Sequence, residues 1–199
     1  MLHYVIGMLT QPRRQWVVLS KQKDDSIIEI FIRYLLLLAL VPSVSLLVST
    51  TTSGWILPGQ GTVRLTVAAA VPLALTFYLL LLVGVVMMAY IMYGLESHFS
   101  VKANFERCLV FTIFTAFPLF LSGIAALYPS LWVGIALVIA AAGYSVYLLF
   151  IGLPVFLQLE QGKAVKFAIL MIVAGMAALL GCGAILLLLW TGGLASLPS

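Results

Sequence analysis

The sequence predicts an all-α membrane protein: a polytopic bundle of five transmembrane helices, preceded by an interfacial or re-entrant helical segment at the amino terminus. Of 199 residues, 64% are hydrophobic and 8% are charged, a composition that a water-soluble domain does not have. Five long apolar stretches are each near or above the roughly 20 residues that a hydrocarbon core requires. The charged residues lie between these stretches or at their ends in an asymmetric pattern, which predicts the orientation.

Each apolar stretch is predicted to cross the membrane once. The stretches are Ile30 to Thr51, Val63 to Tyr93, Cys108 to Leu127, Leu131 to Leu157 and Phe167 to Trp190. We therefore divide the chain into an amino-terminal cytoplasmic or interfacial segment, residues 1–25, and a five-helix transmembrane domain, residues 26–199.

The basic residues predict which side of the membrane each loop occupies. If the amino end is cytoplasmic, Arg64 alone lies outside, and the inside positions are Arg13, Arg14, Lys21, Lys23, Arg33, Lys102, Arg107, Lys163 and Lys166. Nine against one satisfies the positive-inside rule. We expect a multi-pass protein of the inner or plasma membrane, with a cytoplasmic amino terminus and the carboxyl terminus outside.

The inside face is only mildly basic, because all six acidic residues also lie there, which leaves 9 − 6 = +3. That charge favours weak attraction to anionic lipid headgroups. It excludes nucleic acid as a partner.

The amino-terminal residues form two short apolar patches on either side of Pro12, neither long enough to span a bilayer. Trp16 carries an amphipathic ring suited to headgroup depth. We expect a re-entrant or surface-lying helix pair. Ser26 and Glu29 have the spacing of a capping box, which places the start of the first spanning helix there.

Prolines are expected to perturb three of the spans. The second stretch is longer than a straight crossing needs, and Pro72 near its start predicts an interfacial turn followed by the crossing. Pro42 and Pro118 fall inside the first and third helices, where they are expected to kink the axis.

Small residues indicate where helices pack closely, since lipid supplies no hydrophobic drive between helices. They recur at helical spacing in the fourth and fifth spans: Gly134, Ala141, Ser145 and Gly152, then Ala174, Ala178 and Cys182. We favour packing inside the bundle. Self-association through the same residues is the alternative, and the sequence leaves it open.

Catalytic chemistry has no support in the sequence. Away from the helix ends, the spans contain no Asp, Glu, Lys, Arg or His, the groups on which intramembrane catalysis and ion coupling depend. Glu96, His98 and Glu106 share one inside loop, but their spacing matches no metal motif, and a solvated loop explains them better. We predict no enzyme, no cofactor and no metal.

Tyrosines are the polar groups of most interest within the spans. Tyr144 and Tyr147 lie near the middle of the fourth helix, whereas Tyr90 and Tyr93 lie toward the inside end of the second. Together they are consistent with a polar crevice. Aromatic packing with satisfied hydroxyls, and interfacial anchoring for the second pair, is an equally good interpretation.

The fourth helix carries the most specific sequence, GYSVYLLFIGLP from Gly143 to Pro154, followed by Lys163-Ala164 and a further apolar helix. With Pro12, Arg13 and Trp16 near the amino end, and Tyr34 to Pro42 opening the first helix, it resembles the Yip family in its compact prokaryotic form. The resemblance implies five crossings and an inside amino terminus. For eukaryotic members it implies Rab GTPase binding and vesicle traffic.

Gly152 and Pro154 weaken the inside end of the fourth helix, which predicts a hinge or a simple stop there.

The function that these features favour is a non-enzymatic bundle that organises membrane or envelope components through contacts with lipids, protein partners or further copies of itself. The alternative is a transporter or channel for a neutral or lipid-like solute, with a cavity lined by Tyr144 and Tyr147.

Overall fold

A computed structural model of the chain describes residues 7–21, 27–56, 62–99, 104–128 and 130–189. Its helices are α1 (Pro12–Ser20), α2 (Ile27–Val48), α3 (Val67–Phe99), α4 (Phe105–Ser122), α5 (Leu131–Phe156) and α6 (Gln161–Leu189). A helical turn at residues 7–10 precedes α1. The helices α2 to α6 are each long and apolar enough to cross a membrane. The predicted all-α architecture with five spans is thus confirmed.

Helix α4 lies at the centre of the bundle, where it packs against α2, α3 and α5. Its phenylalanines Phe111, Phe114, Phe117 and Phe120 are all buried. Because they are three residues apart rather than 3.6, successive rings drift around the helix and meet different neighbours. Helix α6 packs against α3 and α5 at the periphery, and much of its surface is exposed.

The two ends of the bundle differ in character. Arg107, Lys163 and Lys166 lie at the starts of α4 and α6, and we name this the basic end. At the opposite end, α2 passes into a π-helical turn, Ser49–Ser53. Two short strands follow, β1 (Trp55–Ile56) and β2 (Thr62–Val63), which have two residues each and pair antiparallel. We name this the hairpin end.

Threonine hydroxyls satisfy the carbonyls at the end of α2. Thr50, Thr51 and Thr52 donate to carbonyl oxygens one turn earlier, at 2.8 Å, 2.8 Å and 2.6 Å. Gly54 then ends the helical turn with φ of 69°, a conformation that glycine adopts without a steric penalty.

Pro42 sits at a close contact between two elements. Helix α4 continues into a 3₁₀ turn, Gly123–Leu127, which lies against α2. A Cβ built on Gly123 would be 2.6 Å from Cα of Pro42. The absence of a side chain at Gly123 therefore allows the two backbones to approach.

The prediction of an interfacial turn at Pro72 is wrong. Helix α3 runs without interruption from Val67 to Phe99 with Pro72 inside it. Thr66 begins the helix, since its carbonyl accepts from the amides of Ala69 and Ala70. Pro72 lies within the first two turns, so its missing amide removes one hydrogen bond close to the helix start and the helix tolerates it.

Several predictions concern parts of the chain outside the described residues. These are the capping residue Ser26, the boundary between residues 25 and 26, and the side chains of Glu29, Glu96 and His98. They stay predictions.

Candidate functional site

Residues 7–21, which we name the docked segment, pack against the bundle through α5. At one end, the hydroxyl of Tyr144 donates to the carbonyl oxygens of Met8 at 2.9 Å and Leu9 at 3.2 Å. At the other end, Nη2 of Arg107 donates to the carbonyl oxygen of Ser20 at 3.0 Å. Both ends of the segment are therefore attached to spanning helices.

Trp16 fills the middle of this interface and is 0% exposed. Its ring stacks on Phe111, with centroids 4.6 Å apart and planes at 27°. It also meets the edges of Phe156 at 5.6 Å and Phe114 at 6.3 Å. The expectation that the Trp16 ring faces the headgroups as an anchor is wrong, because the aromatic side chains of α4 and α5 enclose it.

Gly152 makes room for the Trp16 ring. A Cβ built on Gly152 would lie 2.6 Å from Cε2 of Phe111 and 2.7 Å from Cε2 of Trp16. Real Cβ atoms do not approach that closely, so any larger residue would displace the indole or the phenyl ring. Gly152 of the fourth-helix motif thus allows close packing against the docked segment.

The docked segment runs alongside the inner half of α5 in the same direction. Met8 lies beside Tyr144 and Trp16 lies beside Gly152. Eight residues separate Met8 from Trp16, and eight separate Tyr144 from Gly152. Tyr144 precedes the end of α5 at Phe156 by twelve residues, or about 18 Å of helix. The segment therefore reaches deep along the span, which agrees with the re-entrant alternative.

Polar atoms without partners are concentrated in this interface. Among the described residues, the buried side-chain atoms with no hydrogen bond include Oε1 of Gln15, Nε1 of Trp16 and Oγ of Ser145. By contrast, the Thr112 and Thr115 hydroxyls on α4 each donate to a carbonyl one turn earlier, at 2.8 Å. A buried polar atom without a partner is costly, so a hydrogen bond from water or a polar ligand would be favourable at each of the three atoms.

The outer face of the docked segment is basic and apolar. Gln15, Trp16 and Leu19 are its buried side chains in α1. From Pro12 onward, the exposed residues are Arg13, Arg14, Val17, Val18 and Lys21.

The tyrosines predicted to line one crevice lie in two places. The rings of Tyr144 and Tyr147 are 5.7 Å apart, and Tyr147 is 49% exposed. Tyr90 and Tyr93 instead lie against Phe105, at 4.5 Å and 6.3 Å, where α3 meets α4. The Tyr144 hydroxyl is engaged by the docked segment.

Helix α5 continues unbroken through Gly152 and Pro154 to Phe156. It ends where Gln158 adopts φ of 53°, the left-handed conformation that commonly follows a helix. A hinge role for Gly152 and Pro154 stays a prediction.

The remaining small residues lie in more open surroundings. A Cβ on Gly134 would meet nothing within 4 Å. Partly exposed positions in α5 and α6 are Ala141, Ala174, Ala178 and Cys182, whereas Ser145 is buried. Close packing is seen for Gly152 and Ser145, and the roles of the other positions stay predictions.

Sequence reasoning did not identify Gln15 or Arg107 as part of this site. The side chain of Gln15 packs on Gly7, and Arg107 lies over the Phe156 ring at 5.1 Å besides binding Ser20. One signal was present: Trp16 and the Gly143–Pro154 motif both carried the family resemblance, and they are in contact.

These features define a class of protein, a polytopic membrane bundle whose amino-terminal helix docks against the inner half of its fourth span. The chain belongs to the Yip1 domain family, whose model matches residues 6–194. This confirms the resemblance drawn from the fourth-helix motif.

The chain is similar to the inner membrane protein YohC of Escherichia coli strain K12, with 30% identity over 193 residues, covering 96% of this chain and 98% of that protein. The protein of the same name from Escherichia coli O6:H1 strain CFT073 matches to the same extent. No solved structure matches the chain. Together with five apolar helices, these findings make the chain a multi-pass membrane protein of the Yip family.

Proposed function

We propose that the protein is a non-enzymatic component of the membrane that organises other membrane components through lipid and protein contacts. The placement of its charges carries the proposal. Within the five spans, Asp, Glu, Lys, Arg and His side chains occur only in the first six residues of a span, at the basic end: Arg33, Glu106, Arg107, Lys163 and Lys166. An intramembrane catalyst or ion-coupled carrier needs such groups deeper in the bundle.

The surfaces available for these contacts are the outer faces of α5 and α6. Trp132 near the hairpin end of α5 is 80% exposed, and Leu180 in α6 is 72% exposed. Apolar side chains on these faces fit lipid chains or the helices of a partner. The positive-inside rule puts the basic end in the cytosol, so the docked segment occupies the cytosolic half of the bundle.

Site-specific photo-crosslinking in cells tests the proposal. A photoactivatable residue at Leu180 is expected to give discrete adducts with membrane proteins, and one at Met171, which is buried, is expected to give none. A strain without the gene is expected to show altered envelope permeability that the wild-type gene restores. No protein adduct from Leu180, together with an unchanged envelope, would contradict the proposal.

A second candidate function is transport of a small neutral solute. The unpartnered Gln15 Oε1, Trp16 Nε1 and Ser145 Oγ favour it, because they offer hydrogen bonds inside the bundle. Proteoliposome uptake of neutral solutes that Ser145→Ala reduces and Ser122→Ala leaves unchanged would support transport. Equal uptake by empty liposomes would exclude it.

A further inference from the structure

We propose that the exposed face of α1 binds the phosphate group of an anionic phospholipid from the leaflet at the basic end, through Arg13 and Arg14. The inference rests on the proposed lipid-contact function and names the lipid partner of the docked segment.

Along the bundle axis, the two arginines are displaced from the basic end toward the middle of the spans. Trp16 contacts Gly152, which precedes Phe156 by four residues, and Arg13 precedes Trp16 by three. At 1.5 Å per residue, Cα of Arg13 is about 10 Å from the level of Phe156. Arg107 lies over the Phe156 ring, so that level carries the charged groups of the basic end. Taking that level as the membrane interface, Arg13 and Arg14 begin about 10 Å toward the middle of the span.

Neither guanidinium finds a counter-charge in the described residues. Both side chains are exposed, and neither has a hydrogen bond or ion pair among these residues. The described acidic side chains, Glu106 and Glu160, lie at the start of α4 and just before α6. A charged group at this depth is unfavourable unless it reaches the interface or pairs.

A lipid phosphate satisfies both requirements. Arginine stems extend toward the interface along apolar surface, and the planar guanidinium binds two phosphate oxygens at once. Val17 and Val18 are exposed on the same helix and provide apolar contact for the acyl chain.

The basic composition of α1 favours an anionic lipid over a zwitterionic one. The described docked segment contains Arg13, Arg14 and Lys21 and no acidic residue. A zwitterionic headgroup would bring its own ammonium group next to these cations. Phosphatidylglycerol, with one net negative charge, brings none.

Native mass spectrometry of the full chain released from mixed micelles tests the site. The wild type is expected to retain phosphatidylglycerol at least tenfold more than phosphatidylethanolamine. The double variant Arg13→Ala/Arg14→Ala is expected to lose about tenfold of that retention, because two charge-assisted contacts disappear. Arg64→Ala, an exposed arginine toward the hairpin end, is the matched control and should bind as the wild type does. Inorganic phosphate at millimolar concentration should not displace the lipid.

Charge-conserving substitution separates the phosphate site from general attraction. Arg13→Lys/Arg14→Lys keeps the charge and loses bidentate binding, so its retention should fall between the wild type and the alanine variant. The thermal midpoint reports folding and is expected to stay unchanged in all variants, since these side chains have no hydrogen-bond or ion-pair partner among the described residues.

Three results would overturn the proposal: equal retention of the two lipids by the wild type, wild-type retention by the double alanine variant, or an equal loss in Arg64→Ala. Displacement by inorganic phosphate would show a free-anion site in place of a lipid site. Failure of the proposed function would appear separately, as absent crosslinks and an unchanged envelope.

Discussion

The hydroxyl of Tyr144 donates to the carbonyl oxygen of Met8 across a separation of 136 residues. This bond joins the fourth-helix motif to the helical turn that precedes α1. Met8 and Leu9 belong to the short helical turn that ends just before Gln11 and Pro12. Their carbonyls therefore lie near a helix end, where intrahelical donors are scarce. Tyr144 supplies that donor.

Tyr144→Phe is expected to loosen the docked segment while leaving the spans intact. Removing one hydroxyl donor weakens the interface by about 0.5–1.5 kcal/mol, or roughly twofold to tenfold in the opening equilibrium. Hydrogen–deuterium exchange over residues 7–20 measures this. Tyr147→Phe is the control, since that side chain is half exposed, and its exchange should match the wild type. Equal exchange in all three proteins would contradict the role given to the hydroxyl.

Trp16→Ala is expected to destabilise the protein by about 3–5 kcal/mol, the usual effect of removing a buried aromatic ring. The indole packs against Phe111, Phe114 and Phe156, and the space cannot close without moving two helices. Denaturant unfolding in micelles is the measurement. Val17→Ala, at the exposed neighbouring position, should change stability by less than about 0.5 kcal/mol. Similar losses in both variants would show that Trp16 is not enclosed.

Two glycines of α5 provide a matched pair. Gly152→Ala is expected to destabilise by about 1–3 kcal/mol, because its Cβ would overlap the rings of Phe111 and Trp16. Gly134→Ala meets open space and is expected to be neutral or stabilising by up to about 1 kcal/mol, since alanine favours helix. Thermal midpoints of the two variants decide this. A Gly152→Ala variant more stable than Gly134→Ala would contradict the close packing at Gly152.

Gly123→Ala is expected to destabilise the contact between the 3₁₀ turn and α2. Its Cβ would approach Cα of Pro42, and a backbone atom cannot move aside as a flexible side chain can. We expect a loss of about 1–3 kcal/mol. Gly84→Ala in α3, where a Cβ meets nothing within 4 Å, is the control for helix propensity. A stability of Gly123→Ala equal to that of Gly84→Ala would contradict the close contact.

The sequence was sufficient to predict the spans because their signal is local. A run of about 20 apolar residues identifies a membrane helix by its length alone, and α2 to α6 follow the five predicted stretches. The failure at Pro72 has a local cause as well. The position of a proline relative to the helix start decides its effect, and Thr66, which begins α3, carried no recognised signal.

The docked segment could be predicted only in part, because its placement depends on contacts between distant residues. An isolated amphipathic tryptophan favours the interface, and only the space left by Gly152 and the rings of α4 outweighs that preference for Trp16. The unpartnered atoms of Gln15 and Ser145 likewise follow from tertiary packing, which no spacing in the sequence reveals.

Intramolecular photo-crosslinking at two adjacent positions tests most directly whether the amino-terminal helix is docked in the bundle. A photoactivatable phenylalanine analogue replaces Trp16 in one protein and Val17 in another, and peptide mass spectrometry maps each adduct. Docking predicts adducts from position 16 to peptides that contain Phe111 or Gly152, and none to these peptides from position 17. The same adducts from both positions, or from neither, would contradict it.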